Sequence, residues 1–228
     1  MAVTNPLQRA RAPRLRRQAR ALAGLGLALL AGCGTTQFEA ESVIPQPLVT
    51  RIPVVVGVHV PPAFREAVHR EKRDGFEYEI SVGKAQAAGF GRLMNAMFTR
   101  VVPVGSLEAG AVTDAEVRGV FEPVLEDFSF VTPRDTGTQL YAVSLKYRIN
   151  AYTPAGVAVD SWTFTGYGAQ ASSSVPGQGK LALQQAASLA MRDAAAKIAV
   201  EFREQAIVRG LIEPTAPLVE APVQPPPP

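Results

Sequence analysis

The hydrophobic positions of this chain change period several times, and each change predicts a secondary-structure element. A β-branched run over 53–60 is bounded by prolines and predicts a buried strand. Residues 64–73 then predict a short helical or loop segment. Apolar and polar residues alternate over 76–82, which indicates a strand with one buried face. The period becomes three and four residues over 84–100, as in an amphipathic helix, and 101–104 could begin the next strand.

The second half of the pattern predicts a meander of strands followed by a long helix. A strand region over 116–131 contains Pro123, which should bend it because proline breaks a ladder. Residues 140–152 alternate strictly, and 157–167 resume the alternation after a turn, which predicts a β-hairpin. The Ala-rich stretch over 179–211 has apolar residues along one side, so we expect a helix that packs closely on a sheet.

The order of these elements predicts an α+β fold. We expect a mostly antiparallel sheet covered on one face by the central helix and the long C-terminal helix. The periodic residues all lie within 51–213, which indicates a single domain. Residues 33–50 are polar and contain prolines, as in a flexible tether. The Pro-rich end, 214–228, favours extended polyproline II and predicts a disordered tail, with a partner ligand as the alternative.

The first 32 residues have the layout of an export signal. They contain six arginines and no acidic residue, and they end in the apolar run 21–30. A basic segment followed by about ten apolar residues is typical of a secretory signal peptide. The apolar run is too short to cross a bilayer as a helix, which takes about 20 residues. We therefore predict that residues 1–32 are a signal peptide and are removed.

The residues after the apolar run are Leu30-Ala31-Gly32-Cys33, and they resemble the bacterial lipobox. The resemblance implies recognition of Leu30, Ala31 and Gly32 by a signal peptidase and cleavage before Cys33. It also implies thioether lipidation of Cys33 and acylation of the new amino terminus with fatty acids such as palmitate. Two or more acyl chains give stable anchoring. The alternative for Cys33, a buried structural thiol, fits less well beside a signal-like segment.

Removal of the signal reverses the net charge of the chain. The full sequence has 23 basic and 20 acidic residues, a net charge of +3. Without the six arginines of the signal, 17 basic residues remain against 20 acidic ones, so the mature chain carries about −3. Nucleic-acid binding then loses its electrostatic support. The single cysteine excludes an intrachain disulfide and a cysteine-based zinc site.

Few residues of the sequence suggest catalytic or metal chemistry. His59 and His69 are the only histidines; their spacing is not that of a standard ligand pair, so we expect structural or solvated roles. The carboxylate pairs Glu77/Glu79 and Glu126/Asp127 are acid–base candidates, although the first pair lies on the polar side of a predicted strand. The serines 172–174 form a Ser-rich loop without the G-x-S-x-G pattern of a hydrolase.

Two Gly-x-Gly sequences and two aromatic residues were further candidates. Gly89-Phe90-Gly91 and Gly166-Tyr167-Gly168 lack the full phosphate-binding pattern, and the first lies in a predicted helix, where it suggests close packing. Trp162 and Phe164 are expected in the core or on the sheet surface rather than in a ligand platform. We therefore predict no catalytic residue, no metal and no cofactor.

The lipobox, the element order and the Ala-rich C-terminal helix look like those of small outer-membrane lipoproteins of Gram-negative bacteria. The domain is similar to the YajG-type and LPS-assembly-type lipoproteins, which have an α+β sandwich. The residue after Cys33 is Gly34 rather than the Asp that retains many enterobacterial lipoproteins at the inner membrane, which implies outer-membrane sorting and a periplasm-facing domain.

Three functions are compatible with this resemblance. The leading hypothesis is a non-enzymatic structural or assembly role in the envelope, with the membrane bound through acyl chains on Cys33 and with an unidentified envelope protein as partner. The second is a lipid- or glycan-binding accessory module of an envelope transport pathway, since a sheet–helix sandwich can open into an apolar groove. The third is a hydrolase whose site is assembled in space.

Overall fold

The computed structural model describes residues 35–39, 49–172 and 177–208. Its elements, in chain order, are β1 (Thr35–Glu39), β2 (Ile52–Val58), α1 (Pro62–Arg65), β3 (Val68–Arg73), β4 (Phe76–Ser81), α2 (Gly83–Met97), β5 (Phe98–Pro103), β6 (Val117–Val131), α3 (Pro133–Thr136), β7 (Leu140–Tyr152), β8 (Ala158–Ala171) and α4 (Gly179–Val208). None of these helices is long and apolar enough to cross a lipid bilayer.

The described strands form two sheets. The larger has the order β5-β2-β6-β7-β8; its three longest strands, β6, β7 and β8, are antiparallel, whereas β5, β2 and β6 are parallel. The smaller has the order β1-β4-β3, with β1 parallel to β4 and β3 antiparallel to it. The predicted α+β class is confirmed. The parallel pairs arise because β2 reaches β5 through a crossover that contains α2.

The prediction of a flexible tether over 33–50 is wrong for residues 35–39. These residues form β1, whose Thr35 lies opposite Glu77 of β4. A strand of sequence TTQFE gives no hydrophobic period, so the pattern could not reveal it. The segment 64–73, expected as helix or loop, instead contains the end of α1 and all of β3, which pairs with β4 along its whole length.

The helices α2 and α4 pack on one face of the larger sheet, where the main core runs from β2 to α4. A second, smaller core consists of Val104, Val117 and Val120. Gln86 of α2 contacts Tyr147 of β7, and the backbone of α4 lies against β8. At one end of the main core, four aromatic rings join α4 to β5, β6 and β8. The members of this aromatic cluster are Phe98, Phe121, Trp162 and Phe202.

Candidate interaction surface

The face of the larger sheet opposite α2 and α4 has no described helix over β6, β7 and β8. Because side chains alternate along a strand, this face receives the polar half of each strand. We call it the open face. Its half-buried and exposed side chains are Glu122, Val124, Asp127, Ser129, Ser144, Lys146, Arg148, Asn150, Ser161, Thr163, Thr165 and Tyr167.

A carboxylate between two cations lies at the centre of the open face. A bulge in β6 between Leu125 and Asp127 inserts Glu126, whose side chain pairs with Lys146 at 3.2 Å and with Arg148. The close ammonium group of Lys146, together with the charge of Arg148, outweighs burial and lowers the pKa of Glu126. The carboxyl group is therefore ionised at neutral pH, which favours an ion-pair role over that of a general acid.

The side chains of Lys146 and Arg148 pair with Glu126 and are also accessible to a partner molecule. Side chains of Lys146 and Arg148 are 49% and 47% exposed, whereas that of Glu126 is 16% exposed. The alternation along 140–152 already predicted that both cations lie on the polar side of β7. The position of Glu126 between them could not be predicted, because it depends on where the bulge falls in β6.

A second polar cluster lies where β2 meets β6 and β7. The His59 Nδ1 atom lies 3.0 Å from the carbonyl oxygen of Val104, and its Nε2 lies 3.9 Å from a Glu122 carboxylate oxygen. Asn150 donates a hydrogen bond of 3.1 Å to Glu122, and Tyr152 donates one of 3.4 Å. Burial, and then the charge of Glu122, raises the pKa of Tyr152. These contacts hold the His59 ring in place between β6 and the residue after β5, which favours a structural role for His59.

The other histidine belongs to a separate network that joins the β3–β4 hairpin to β6 and α3. The His69 ring lies 4.8 Å from the Phe128 ring, centre to centre and tilted by 36°, and its Nε2 lies 3.1 Å from Glu71. Arg73 pairs with Glu71 at 2.5 Å and with Asp135 at 2.8 Å. Burial raises the pKa of Asp135, but hydrogen bonds from the Thr132 backbone and side chain and the charge of Arg73 outweigh it and hold that pKa below its ordinary value.

The histidines therefore do not form a metal site with each other. Within the described ranges, no group of three or more His, Cys, Asp or Glu side chains is placed to hold a metal ion. The Glu77/Glu79 pair lies on β4, where Glu79 pairs with Arg70 at 3.1 Å. The amide of Ser172 donates a hydrogen bond of 2.6 Å to the Gln139 carbonyl. Ser173 and Ser174 lie outside the described residues.

The β8 edge of the larger sheet is covered by side chains of α4. Asp193 accepts a 2.9 Å hydrogen bond from the Tyr167 amide of β8, and Lys197 donates one of 2.7 Å to the Thr165 carbonyl. The Lys197 hydrogen bond, with that of the Tyr167 amide, outweighs burial and lowers the pKa of Asp193. Because unpaired edge groups attract another strand, these contacts disfavour strand pairing at the β8 edge.

The glycines of Gly166-Tyr167-Gly168 serve packing, not phosphate binding. Both face α4, and a side chain at Gly166 would meet the carbonyl oxygen of Ala190 at 2.1 Å. At Gly91 of the other Gly-x-Gly sequence, a side chain would meet no atom within 4 Å, so close packing does not require that glycine. Trp162 and Phe164 are buried in the core, as expected.

The space around Gln86, between β7 and the two helices, is nearly filled. A cavity of about 20 Å³ lies among Phe64, Gln86, Tyr147 and Met191, and it is large enough for one water molecule. Tyr147 donates a 3.2 Å hydrogen bond to the Gln86 side chain, and burial raises the pKa of Tyr147. Small-molecule pockets are typically about 300–1,000 Å³. That cavity is too small for such a ligand, but a second and more open one of about 390 Å³ lies among Ile52, Met97 and Ala199, where β2, α2 and α4 meet.

The lipobox residues Leu30, Ala31, Gly32 and Cys33 lie outside the described residues, so the evidence for lipidation is in the sequence. The signal peptide 1–32 and the tail 214–228 also lie outside them.

The fold places this chain in the α+β class, with helices covering one face of the larger sheet. No protein-family model matches the chain, and no curated protein matches its sequence. Among solved structures, a DUF330 protein from Xanthomonas campestris is similar with a TM-score of 0.42 and 10% identity, covering 78% of this chain and 96% of that one.

Two other solved structures are similar to a comparable degree. A minor lipoprotein from Acinetobacter baumannii has a TM-score of 0.41 and 9% identity, over 68% of this chain and 95% of that chain. The hypothetical protein CT253 from Chlamydia trachomatis has a TM-score of 0.37 and 10% identity, over 70% of this chain and 97% of that chain. Likenesses this distant transfer no function to this chain.

Proposed function

We propose that this protein is a lipid-anchored envelope lipoprotein with a non-catalytic structural or assembly role. The observation that carries the proposal is Leu30-Ala31-Gly32-Cys33, placed directly after a basic and then apolar segment. Acyl chains on Cys33 hold the domain at the membrane. Gly34 in place of an Asp favours the outer membrane, with the domain facing the periplasm.

The open face is the surface that we propose for the protein partner. It contains the Glu126 ion-pair centre, in which two cations remain half exposed. Charged groups on a partner surface would match these cations and fix the orientation of the complex. The lowered pKa of Glu126 and the structural contacts of His59 and His69 support a binding role over a catalytic one.

The variant Cys33→Ser tests the anchor. The serine hydroxyl cannot take the place of the thiolate, so the variant should incorporate no labelled palmitate and should move from the membrane to the soluble periplasmic fraction. Gly34→Ser is the matched control, and it should remain labelled and membrane-bound. If Cys33→Ser stays on the membrane as firmly as the unchanged protein, the proposed anchor is wrong.

Photo-crosslinking in intact cells tests the partner surface. A crosslinking amino acid at Thr163 on the open face should give a discrete product with one envelope protein, and the same probe at Gln185 on the exposed side of α4 should not. Reversal of the nearby charge by Arg148→Glu should abolish the product, because Arg148 lies opposite Thr163 in the β7–β8 register. Equal products from both positions, or none from either, would refute the assignment of this face.

A further inference from the structure

The first described strand begins very close to the proposed anchor. Only Gly34 separates Cys33 from Thr35, the first residue of β1. Two steps along an extended chain span at most about 7 Å. If Cys33 is acylated, as the proposed function requires, the start of β1 lies at the level of the lipid headgroups.

Several other elements meet at this end of the domain. A groove of about 240 Å³ lies beside Thr36 of β1, between β4, α3, β7 and the start of α4. We call it the anchor groove. The side chains that line it with Thr36 are Phe76, Tyr78, Arg134, Tyr141, Lys180 and Leu183.

The chemistry of the anchor groove matches a phospholipid surface. Arg134 and Lys180 are exposed, and no carboxylate of the described residues lies within ion-pair distance of either. The Arg134 guanidinium lies 4.3 Å above the Phe76 ring. Arginine and lysine bind phosphate groups, and tyrosines are enriched at membrane–water interfaces. The groove thus combines aromatic walls with two cations that pair with no carboxylate of the described residues.

Two exposed leucines lie at this end of the domain, Leu181 beside Lys180 on α4 and Leu140 on the side of β7 opposite Tyr141. Leu140, at the start of β7, is 46% exposed, and Leu181, next to Lys180, is 48% exposed. Leucines beside cations are characteristic of surfaces that insert shallowly into the headgroup region. The neighbouring β3–β4 hairpin, residues 68–81, has three basic and four acidic residues, so it adds a net charge of only about −1. Its exposed Lys72 lies opposite Glu77 in the strand register.

We infer that the anchor groove rests on the bilayer and binds the phosphate groups of anionic phospholipids. Acyl chains on Cys33 supply the attachment, and the groove fixes the orientation of the domain. The strands β6, β7 and β8 all have one end near this groove, so they stand upright on the membrane. The open face then points sideways, where a partner in the periplasm can reach it.

The experiment uses the full mature chain with Cys33→Ser, so that binding does not depend on acylation. It measures cosedimentation with phosphatidylcholine vesicles, with and without phosphatidylglycerol. We expect binding only to the anionic vesicles, and loss of binding at high salt. The double variant Arg134→Glu/Lys180→Glu should bind at least about thirtyfold more weakly, since each basic residue lost near an anionic surface costs about fivefold and the added carboxylates are repelled.

Arg51→Glu/Arg118→Glu is the matched control, because both arginines are exposed and lie near the opposite end of β6. It changes the net charge equally and should bind within about twofold of the unchanged chain. Leu140→Ser/Leu181→Ser should weaken binding without changing its charge dependence. Equal weakening by the groove and control variants, or no binding by the unchanged chain, would overturn the inference. Palmitate labelling reports separately on the anchor, so failure of the two proposals can be told apart.

Discussion

Gly166→Ala and Gly168→Ala should each destabilise the domain by about 3 kcal/mol or more, at the upper end of what overpacking usually costs. An added methyl group at Gly166 would lie 2.1 Å from the Ala190 carbonyl oxygen, and one at Gly168 would lie 2.1 Å from that of Ala186. Both obstacles are backbone atoms of α4, so rotation of a side chain cannot relieve them. The helix would have to move away from β8 and expose part of the core.

The measurement is urea unfolding of the mature chain, followed by circular dichroism. Gly91→Ala is the control, because it is the same substitution at a helical position where the added methyl group meets no atom within 4 Å. It should stabilise α2 by about 0.5–1 kcal/mol, since glycine is the poorer helix former. An unfolding free energy for Gly166→Ala within about 1 kcal/mol of the unchanged protein would contradict the close approach of α4 to β8.

The second large effect is expected at Phe202. The variant Phe202→Ala should have a free energy of unfolding about 3–5 kcal/mol lower than that of the unchanged protein. The fully buried Phe202 ring lies 5.1 Å from Phe121 and 5.2 Å from Trp162, in edge-to-face contact with both. The truncation would leave a cavity at the point where α4 joins β6 and β8. Phe202→Leu should cost less, because it keeps most of the apolar volume.

Val200→Ala serves as the control for Phe202→Ala on the same helix. Val200 is 66% exposed, so its truncation should change stability by no more than about 0.5 kcal/mol. Both variants can be compared by urea unfolding and by Trp162 fluorescence, which should shift only when Phe202 is truncated. If the two variants unfold at the same urea concentration, Phe202 does not hold α4 on the sheet.

The alternation and the helical period predicted the elements whose burial follows from apolar side chains. β4, β7, β8, α2 and α4 all have one face of such side chains in the core. The period was uninformative for β1, whose sequence TTQFE does not alternate, and for β3, because the half-buried side of β3 consists of His69, Glu71 and Arg73. Their burial depends on ion pairs and on stacking against β6, which a local pattern cannot show.

The candidate surface could be predicted only in part. Alternation placed Lys146 and Arg148 on the polar side of β7, but it did not show that this side is uncovered or that a bulge inserts Glu126 between them. The close packing of α4 on β8, by contrast, could have been predicted from the two-residue spacing of Gly166 and Gly168. This spacing places both glycines on one face of a strand, where close approach of an Ala-rich helix needs them.

The position of β1 limits how far the anchored protein can reach. A free tether of 18 residues would let the domain range up to about 60 Å from the membrane. With β1 paired to β4 immediately after Cys33, the reach is instead set by the height of the domain, and the 15 residues of β6 span about 50 Å. In the anchored state that we propose, any partner must therefore come within that distance of the bilayer. The domain cannot reach a partner farther across the periplasm.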